Sequence, residues 1–209
     1  MKIAVVCANG KAGSLIVKEA LSRGLDVTAF VRGENRSAAE KAVVKDLFDL
    51  TRDDLSSYDV VVDAFGAWTP ATISGIPGAV KHLCGILAGT DTRLVVVGGA
   101  GGLFVDAGHT ARVEDGPDFP DAYKPLAAAH DEALAFLRNT RGVKWTCVSP
   151  AADFSADGER TGKYRVGGDE LLLNSKGESV VSYADYAIAF VDEVISGANV
   201  GKRISVVGE

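Results

Sequence analysis

The chain has no excess of basic residues. Its 22 Lys and Arg stand against 28 Asp and Glu, which gives a formal net charge of −6. No stretch gathers the basic residues into a patch, so a duplex nucleic-acid binder is not expected. We expect a small-molecule partner, and a protein that is a monomer or a weak homo-oligomer.

Apolar runs of membrane-spanning length are also missing, and Met1 leads into a strand-like segment without the features of a signal peptide. We therefore expect a cytoplasmic protein with no membrane partner. Cysteine is scarce, and the odd number and spacing of Cys7, Cys84 and Cys147 fit neither a disulfide framework nor a metal cluster. We expect small reduced thiols and no metal site.

Apolar runs alternate with amphipathic stretches along the whole chain. Continuous Val, Ile and Ala, without polar alternation, are typical of parallel strands covered on both faces, as in KIAVVC, DVTAFVR, YDVVVDAFG, TRLVVVGG, VKWTCVS and RISVVG. Helical spacing separates most of these runs, and a short helix is predicted around SAAEKAVV. This order predicts a single α/β domain over 1–209, built on a doubly wound, mostly parallel sheet.

Two long segments, 99–122 and 151–177, fall outside this alternation. Each follows a predicted strand at its carboxyl end, where open α/β sheets bind ligands, so both are expected to contribute substrate-binding insertions. The second would form a small C-terminal substrate lobe. Within it, GERTGKYRVGGDELLLN either adds Arg160 and Tyr164 to that lobe or forms a small hairpin over the end of the sheet.

The first strand breaks at CANGKAG, and a helical pattern follows. A strand that turns sharply into a helix leaves the N–H groups of the first helical turn unpaired, with the positive end of the helix dipole behind them. Gly10 would allow a pyrophosphate to approach the backbone, and Gly13 would allow the helix to pack tightly on the sheet. The pattern favours a dinucleotide site, although Cys7 stands where the fingerprint has its first glycine.

The end of the second strand indicates which dinucleotide binds. An NAD site usually has an acidic residue there, whereas FVRGEN places Arg32 at the strand end. A guanidinium suits a ribose 2′-phosphate, and Lys11 is a second candidate partner for it. NADP(H) is therefore favoured, while Glu34 keeps NAD as the alternative.

Taken together, KIAVVCANGKAG, FVR, VVVDAFG, RLVVVGGAGGLFVD, GVKWTCVSPAADF, GERTGKYR and SYADYAIAFVDEV resemble the atypical short-chain dehydrogenases. The chain is most similar to the NADH-flavin reductase group, near NmrA-like proteins and biliverdin-IXβ/flavin reductase, and the resemblance covers nearly its whole length. It implies a Rossmann fold and an oxidoreductase that uses a nicotinamide cofactor. It also implies the following cofactor-binding residues: Ala8, Asn9, Gly10, Lys11, Ala12, Gly13, Arg32, Asp46, Leu47, Ala64, Phe65 and Gly66.

The catalytic pair of the wider superfamily is incomplete. Its reductases place a tyrosine four residues before a lysine that lowers the pKa of the phenol. Tyr123 occupies the start of the corresponding helix, but Ala127 stands where the lysine would be, and Lys124 would point elsewhere. By the same resemblance His130 aligns with a histidine of flavin and biliverdin reductases, so Tyr123 and His130 are the catalytic candidates.

Hydride transfer to a flavin needs two flat rings held together more than it needs a protein acid. We therefore expect an NAD(P)H-dependent reductase that acts on a flavin or a similar flat conjugated acceptor. The alternative is a non-catalytic NADP(H)-binding redox sensor of the NmrA type. Candidate residues of the substrate pocket are Trp68, Phe104, Pro150, Asp153 and Phe154.

Overall fold

The computed structural model describes all 209 residues. The strands are β1 (Lys2–Val6), β2 (Asp26–Val31), β3 (Lys41–Val44), β4 (Val60–Asp63), β5 (Arg93–Val97), β6 (Lys144–Ser149), β7 (Asp153–Ser155), β8 (Tyr164–Gly167), β9 (Val180–Ser182) and β10 (Lys202–Gly208). The helices are α1 (Lys11–Ser22), α2 (Arg52–Leu55), α3 (Pro70–Ile73), α4 (Gly75–Leu87), α5 (Lys124–Asn139) and α6 (Tyr183–Ser196).

Eight of the strands form one sheet in the order β3-β2-β1-β4-β5-β6-β10-β8, and only β8 runs antiparallel to its neighbour. Val5 of β1 is paired with Ala29 of β2 on one side and with Val62 of β4 on the other. The chain order reverses at β1, so the carboxyl ends of β1 and β4 flank the switch point at which such sheets bind ligands. The predicted doubly wound, mostly parallel α/β fold is confirmed.

The sheet is covered on both faces, as its unbroken apolar strands require. On one face α1 and α6 pack together over a core that includes Ile16, Tyr186 and Phe190. On the other face α4 and α5 pack over a second core that includes Leu83 and Leu137. None of the helices combines the length and hydropathy needed to span a bilayer.

The helix predicted around SAAEKAVV is wrong. Its second half is the edge strand β3, in which Val43 is paired with Phe30 of β2. The preceding residues form a turn in which the Asn35 side chain donates to the carbonyl of Ala39. Pairing with β2 lets Val43 and Val44 adopt the extended conformation that β-branched residues favour. This pairing outweighs the helical spacing of the apolar residues in the sequence.

The segment 151–177 forms no hairpin of its own. Instead β7 pairs with β9 in a separate two-stranded sheet, and β8 joins the main sheet beside β10. The Tyr164 hydroxyl donates to Asp192, and Arg160 contacts Glu19 at 2.8 Å. These two side chains therefore tie β8 and its approach to α1 and α6, and their predicted place in a substrate lobe is wrong.

Candidate functional site

A cavity of about 400 Å³ opens at the carboxyl ends of β1 and β4. Ten of the twelve predicted cofactor residues line it: Asn9, Gly10, Lys11, Ala12, Arg32, Asp46, Leu47, Ala64, Phe65 and Gly66. The other two, Ala8 and Gly13, are buried beneath the loop and do not face the cavity. They shape the site without lining it, which corrects their assignment as contact residues.

The floor of this cavity is the start of α1. Gly10 is the residue before the first helical turn, no side chain caps that turn, and no acidic residue lies within it. A Cβ at Gly13 would come within 2.6 Å of the Cys7 carbonyl oxygen, so only glycine allows the helix to lie this close to the loop. The N–H groups of this uncapped turn and the helix dipole are suited to an anion, as a dinucleotide pyrophosphate requires.

Cys7 has the backbone conformation of a glycine. Its φ of 61° lies in the left-handed region, which costs a side-chain-bearing residue about 1–2 kcal/mol. The resemblance implies glycine at this position, and the conformation explains why. Burial, and then the nearby Asp63, raise the pKa of the Cys7 thiol to about 12, so the thiol is protonated and is not a nucleophile at neutral pH.

Three cations face the first cavity: Lys11, Arg32 and Arg36. The side chain of Asn9 orders the loop that carries Arg36, because its amide nitrogen donates to the Glu34 carbonyl at 2.8 Å and its oxygen accepts from the Arg36 N–H at 2.7 Å. Sequence reasoning missed Arg36, although the second arginine of RGENR was its signal. The Glu34 carboxylate is exposed and is not among the residues that line the cavity.

Another part of the cavity wall is formed by the turn after β3 and by the segment after β4. Asp46 accepts a hydrogen bond from the Phe48 N–H at 2.9 Å, so its carboxylate stabilises the short 3-10 helix Leu47–Asp49. The rings of Phe48 and Phe65 meet edge to face at 6.4 Å. These residues give the cavity an apolar surface in addition to its cations, and such a surface is suited to an adenine ring.

Asp63 lies behind this wall at the end of β4. Only 3% of the residue is exposed, and its carboxylate accepts from the Phe65 N–H at 3.0 Å. Burial raises the pKa of this carboxyl from 3.8 to about 7, and the Phe65 hydrogen bond opposes the shift. A buried acid that titrates near neutrality therefore lies directly behind the proposed nucleotide site.

A second cavity of about 390 Å³ adjoins the first. The predicted pocket residues Trp68, Pro150, Asp153 and Phe154 line it. The two cavities share six residues, which are Trp68, Gly98, Leu126, His130, Phe154 and Tyr183. A ligand in one cavity can therefore contact a ligand in the other across this shared boundary.

Phe104 lies outside both cavities, so its predicted place in the pocket is wrong. Its ring stacks on His109, with the ring centres 4.3 Å apart and the planes 2° from parallel. The guanidinium groups of Arg112 and Arg203 lie 5.8 and 5.9 Å from the same ring. These contacts hold Phe104 in the loop, where it stabilises the segment instead of facing a ligand.

His130 lies on the shared boundary and is partly buried within it. Burial lowers the pKa of the imidazole from 6.5 to about 4, so the ring is neutral at physiological pH. A Cβ at Gly99 would come within 2.7 Å of the ring, so this glycine makes room for the histidine. A neutral imidazole here can donate or accept a hydrogen bond but carries no charge.

Tyr123 lines the second cavity just before α5, and it is 53% exposed. Ala127 also lines that cavity, at the position where the superfamily's lysine would be. The ammonium of Lys124 lies 2.6 Å from Asp121 and does not line the cavity. The structure therefore offers no cation to assist the tyrosine, as the spacing in the sequence predicted.

Tyr183 and Leu126 are two further cavity residues, among several, that sequence reasoning missed. Tyr183 begins α6, and its ring lies 3.7 Å from that of Phe154, centre to centre. The pairing of β7 with β9 brings these two residues together, although they lie 29 positions apart in the chain. The SYADY motif was the signal, because it was part of the family resemblance.

Comparison with known proteins agrees with this geometry. The model of the NAD(P)H-binding family matches residues 7–194. The uncharacterized protein YwnB of Bacillus subtilis (strain 168) is 45% identical to this chain, and the match covers 100% of the chain and 99% of YwnB.

Two solved structures extend the comparison. A Streptococcus pneumoniae TIGR4 protein named as a "putative NADH-flavin reductase" is 50% identical over the full length of both chains, with a TM-score of 0.97. A short-chain dehydrogenase/reductase of Veillonella parvula DSM 2008, solved with NADP, shares the fold at 18% identity and a TM-score of 0.64, with 100% of this chain and 94% of that chain covered.

Proposed function

The chain belongs to the NAD(P)H-binding family, and from that premise we propose that it is an NADPH-dependent reductase that passes a hydride to a flavin or a similar flat, conjugated acceptor. The observation that carries the proposal is the pair of adjoining cavities. One holds three cations at an uncapped helix start, and the other is mainly apolar. A dinucleotide in the first and a flat acceptor in the second would meet at the six shared residues.

The residues of the first cavity fit NADPH. The N–H groups at the start of α1 and the Lys11 ammonium would bind the pyrophosphate, and Arg32 and Arg36 would bind the 2′-phosphate. When bound, the reduced nicotinamide supplies a hydride and needs no further cofactor. The chain's own contribution is to fix the orientation of the dinucleotide and to direct one end of it toward the second cavity.

The boundary residues would hold the acceptor in place and exclude water. Phe154 and Tyr183 present aromatic surfaces and Leu126 an apolar one, so a flat ring can pack against them. The neutral His130 can donate one hydrogen bond to an acceptor atom but is not a strong acid. Hydride transfer to a flavin depends mainly on how the protein orients the two rings, and not on a proton donor.

The Streptococcus pneumoniae relative is named for a flavin reductase activity, which supports the choice of acceptor. Its name specifies NADH, whereas Arg32 and Arg36 favour NADPH here. A non-catalytic NADP(H)-binding redox sensor is the second candidate. The observation that favours it is Ala127, which leaves Tyr123 without the superfamily's lysine.

Two measurements test the proposal. Calorimetry with NADPH and NADH should show tighter binding of NADPH, and Arg32→Ala should weaken NADPH selectively by about 1–3 kcal/mol because it removes a charge-assisted contact. Arg36→Ala should have the same selectivity, and Arg141→Ala, at an exposed position that lines neither cavity, is the matched control. Equal losses for both cofactors would refute the assignment of the 2′-phosphate site.

The second measurement is steady-state oxidation of NADPH with riboflavin, FMN, FAD and a panel of quinones. We expect turnover with at least one flat acceptor. A protein that binds NADPH normally but oxidises it with none of them would be a sensor, and the reductase proposal would then be abandoned.

A further inference from the structure

The two cavities differ sharply in charge. The first is lined by Lys11, Arg32 and Arg36, whereas no lysine or arginine lines the second. Eleven of the 17 residues around the second cavity are hydrophobic, and its one carboxylate belongs to Asp153. A phosphate group placed in the second cavity would find no cation and one negative charge.

The two cations that adjoin lining residues of the second cavity in the sequence are already paired. Arg112, which precedes the lining residue Val113, contacts Asp131 at 2.5 Å and Glu114 at 3.4 Å. Lys124, which follows the lining residue Tyr123, contacts Asp121 at 2.6 Å. Each ion pair leaves little positive charge to attract a ligand anion.

The helix start beside the second cavity is also a poor anion site. The N–H of Lys124 donates to the Asp121 carbonyl, and Pro125 has no N–H to offer. At the start of α6 the N–H of Asp185 donates to the Ser182 hydroxyl, and the Asp185 carboxylate lies within the first turn. These features contrast with α1, whose first turn has neither a cap nor an acid.

Asp153 is placed to discriminate among acceptors. It is the first residue of β7 and is exposed at the rim of the second cavity, where its backbone N–H donates to the Ser179 carbonyl at 2.9 Å. A free carboxylate at a rim repels a phosphate and accepts hydrogen bonds from hydroxyl groups. The ribityl chain of riboflavin carries hydroxyls, and the corresponding chain of FMN ends in a phosphate.

Resting on the reductase proposal, we propose that the second cavity selects an uncharged planar acceptor without a phosphate group, riboflavin in preference to FMN or FAD, and that Asp153 enforces this choice. In the reaction one riboflavin gains a hydride at one ring nitrogen and a solvent proton at another, and one NADPH is oxidised to NADP⁺. An uncharged quinone satisfies the same chemistry, since it gains a hydride and a proton to become the hydroquinone.

Equilibrium binding provides a readout that does not depend on turnover. Quenching of flavin fluorescence by the NADP⁺-loaded protein should give a riboflavin affinity about tenfold higher than that of FMN, the size expected for one carboxylate facing a phosphate of nearly two charges in a water-like dielectric. Asp153→Asn should narrow the gap to about threefold, and Asp153→Lys should close or reverse it. Asp157→Asn removes an exposed acid that lines neither cavity and should leave the preference unchanged.

Steady-state turnover is the second part of the experiment. The ratio of kcat/KM for riboflavin to that for FMN should follow the binding ratio in each variant, and an uncharged quinone should be favoured over its sulfonated analogue. FMN that binds as tightly as riboflavin to the wild-type protein, or the absence of binding by any flavin or quinone, would overturn the inference. Riboflavin-selective binding without turnover of any acceptor would uphold the selectivity of the cavity and would instead refute the reductase proposal.

Discussion

Asp63 should make the stability of this protein depend on pH in an unusual direction. Its carboxyl is buried at the end of β4, and burial raises its pKa from 3.8 to about 7. The folded state therefore holds this proton more tightly than the unfolded chain does. Between these two pKa values the folded protein binds more protons, so the free energy of unfolding falls as the pH rises.

The size of the effect follows from the shift. Each pKa unit corresponds to about 1.4 kcal/mol, so a shift of about three units makes the folded state ~4 kcal/mol less stable above pH 7 than below pH 4, from this group alone. Asp63→Asn keeps the shape of the side chain and an oxygen that can accept from the Phe65 N–H, but it has no charge to desolvate. We expect the variant to match the wild type at low pH and to exceed it by up to ~4 kcal/mol above pH 7.

His130 should change the pH dependence of stability in the opposite direction. Burial lowers its pKa from 6.5 to about 4, so the folded state resists protonation and loses stability as the pH falls through this range. The two groups offset each other in the wild type between about pH 4 and 6.5. In Asp63→Asn the His130 dependence should emerge alone, as stability that rises with pH up to 6.5 and is then level.

The assay is urea unfolding followed by circular dichroism at a series of pH values, with Asp157→Asn as the exposed control. The wild-type and Asp63→Asn curves should converge below about pH 4, separate between about pH 4 and pH 7, and run parallel above pH 7. Curves that stay parallel across the whole range would show that Asp63 is ionised in the folded protein, and the reasoning from burial would be refuted.

Further predictions concern the loop and the boundary residues. Gly10→Val should abolish NADPH binding in calorimetry with the fold intact by circular dichroism, because a branched side chain would occupy the pyrophosphate position; normal binding would mean that the loop is misread. Cys7→Val should destabilise the protein by about 1–3 kcal/mol relative to Cys7→Gly in urea unfolding, because φ at this position is 61°; equal stabilities would show that the conformation stores no strain. Tyr123→Phe should change stopped-flow NADPH oxidation with a flavin by less than about threefold, and Trp68→Ala should be the worse lesion; a hundredfold loss in Tyr123→Phe would make the tyrosine a catalytic acid.

Much of the fold follows from local sequence because its strands are unambiguous. Runs such as VVVDAF and RLVVVGG are too apolar and too β-branched for a surface helix, and their alternation with helical spacing leaves few topologies. The glycine loop was equally accessible, because a helix that packs closely on the loop and a pyrophosphate that approaches the backbone both favour glycine at fixed positions. Local reasoning could not tell that Ala8 and Gly13 lie beneath the loop, since burial depends on the strands packed around them.

The failures come from contacts that the local pattern does not encode. The residues before Val43 favour a helix, and only the neighbouring β2 makes extended structure the better choice for the KAVV segment. Phe104 follows a strand, as a pocket residue would, but its ring stacks on His109, five positions later in the same loop. Tyr183 reaches the cavity boundary only because β9 pairs with β7.

The two departures from the family pattern differ in consequence. Cys7 replaces a glycine that has a backbone role, and the chain keeps the left-handed conformation at a modest cost in stability, so the turn and the helix start are preserved. Ala127 stands where the short-chain dehydrogenases that the sequence resembles have a catalytic lysine, and Lys124 does not supply a cation in its place, since it is paired with Asp121. The fold tolerates the backbone strain of a non-glycine residue at position 7, whereas no backbone adjustment replaces the missing ammonium group at position 127. The cofactor cavity is therefore retained, and the reductase that we propose would act on an acceptor that needs no protonated tyrosine.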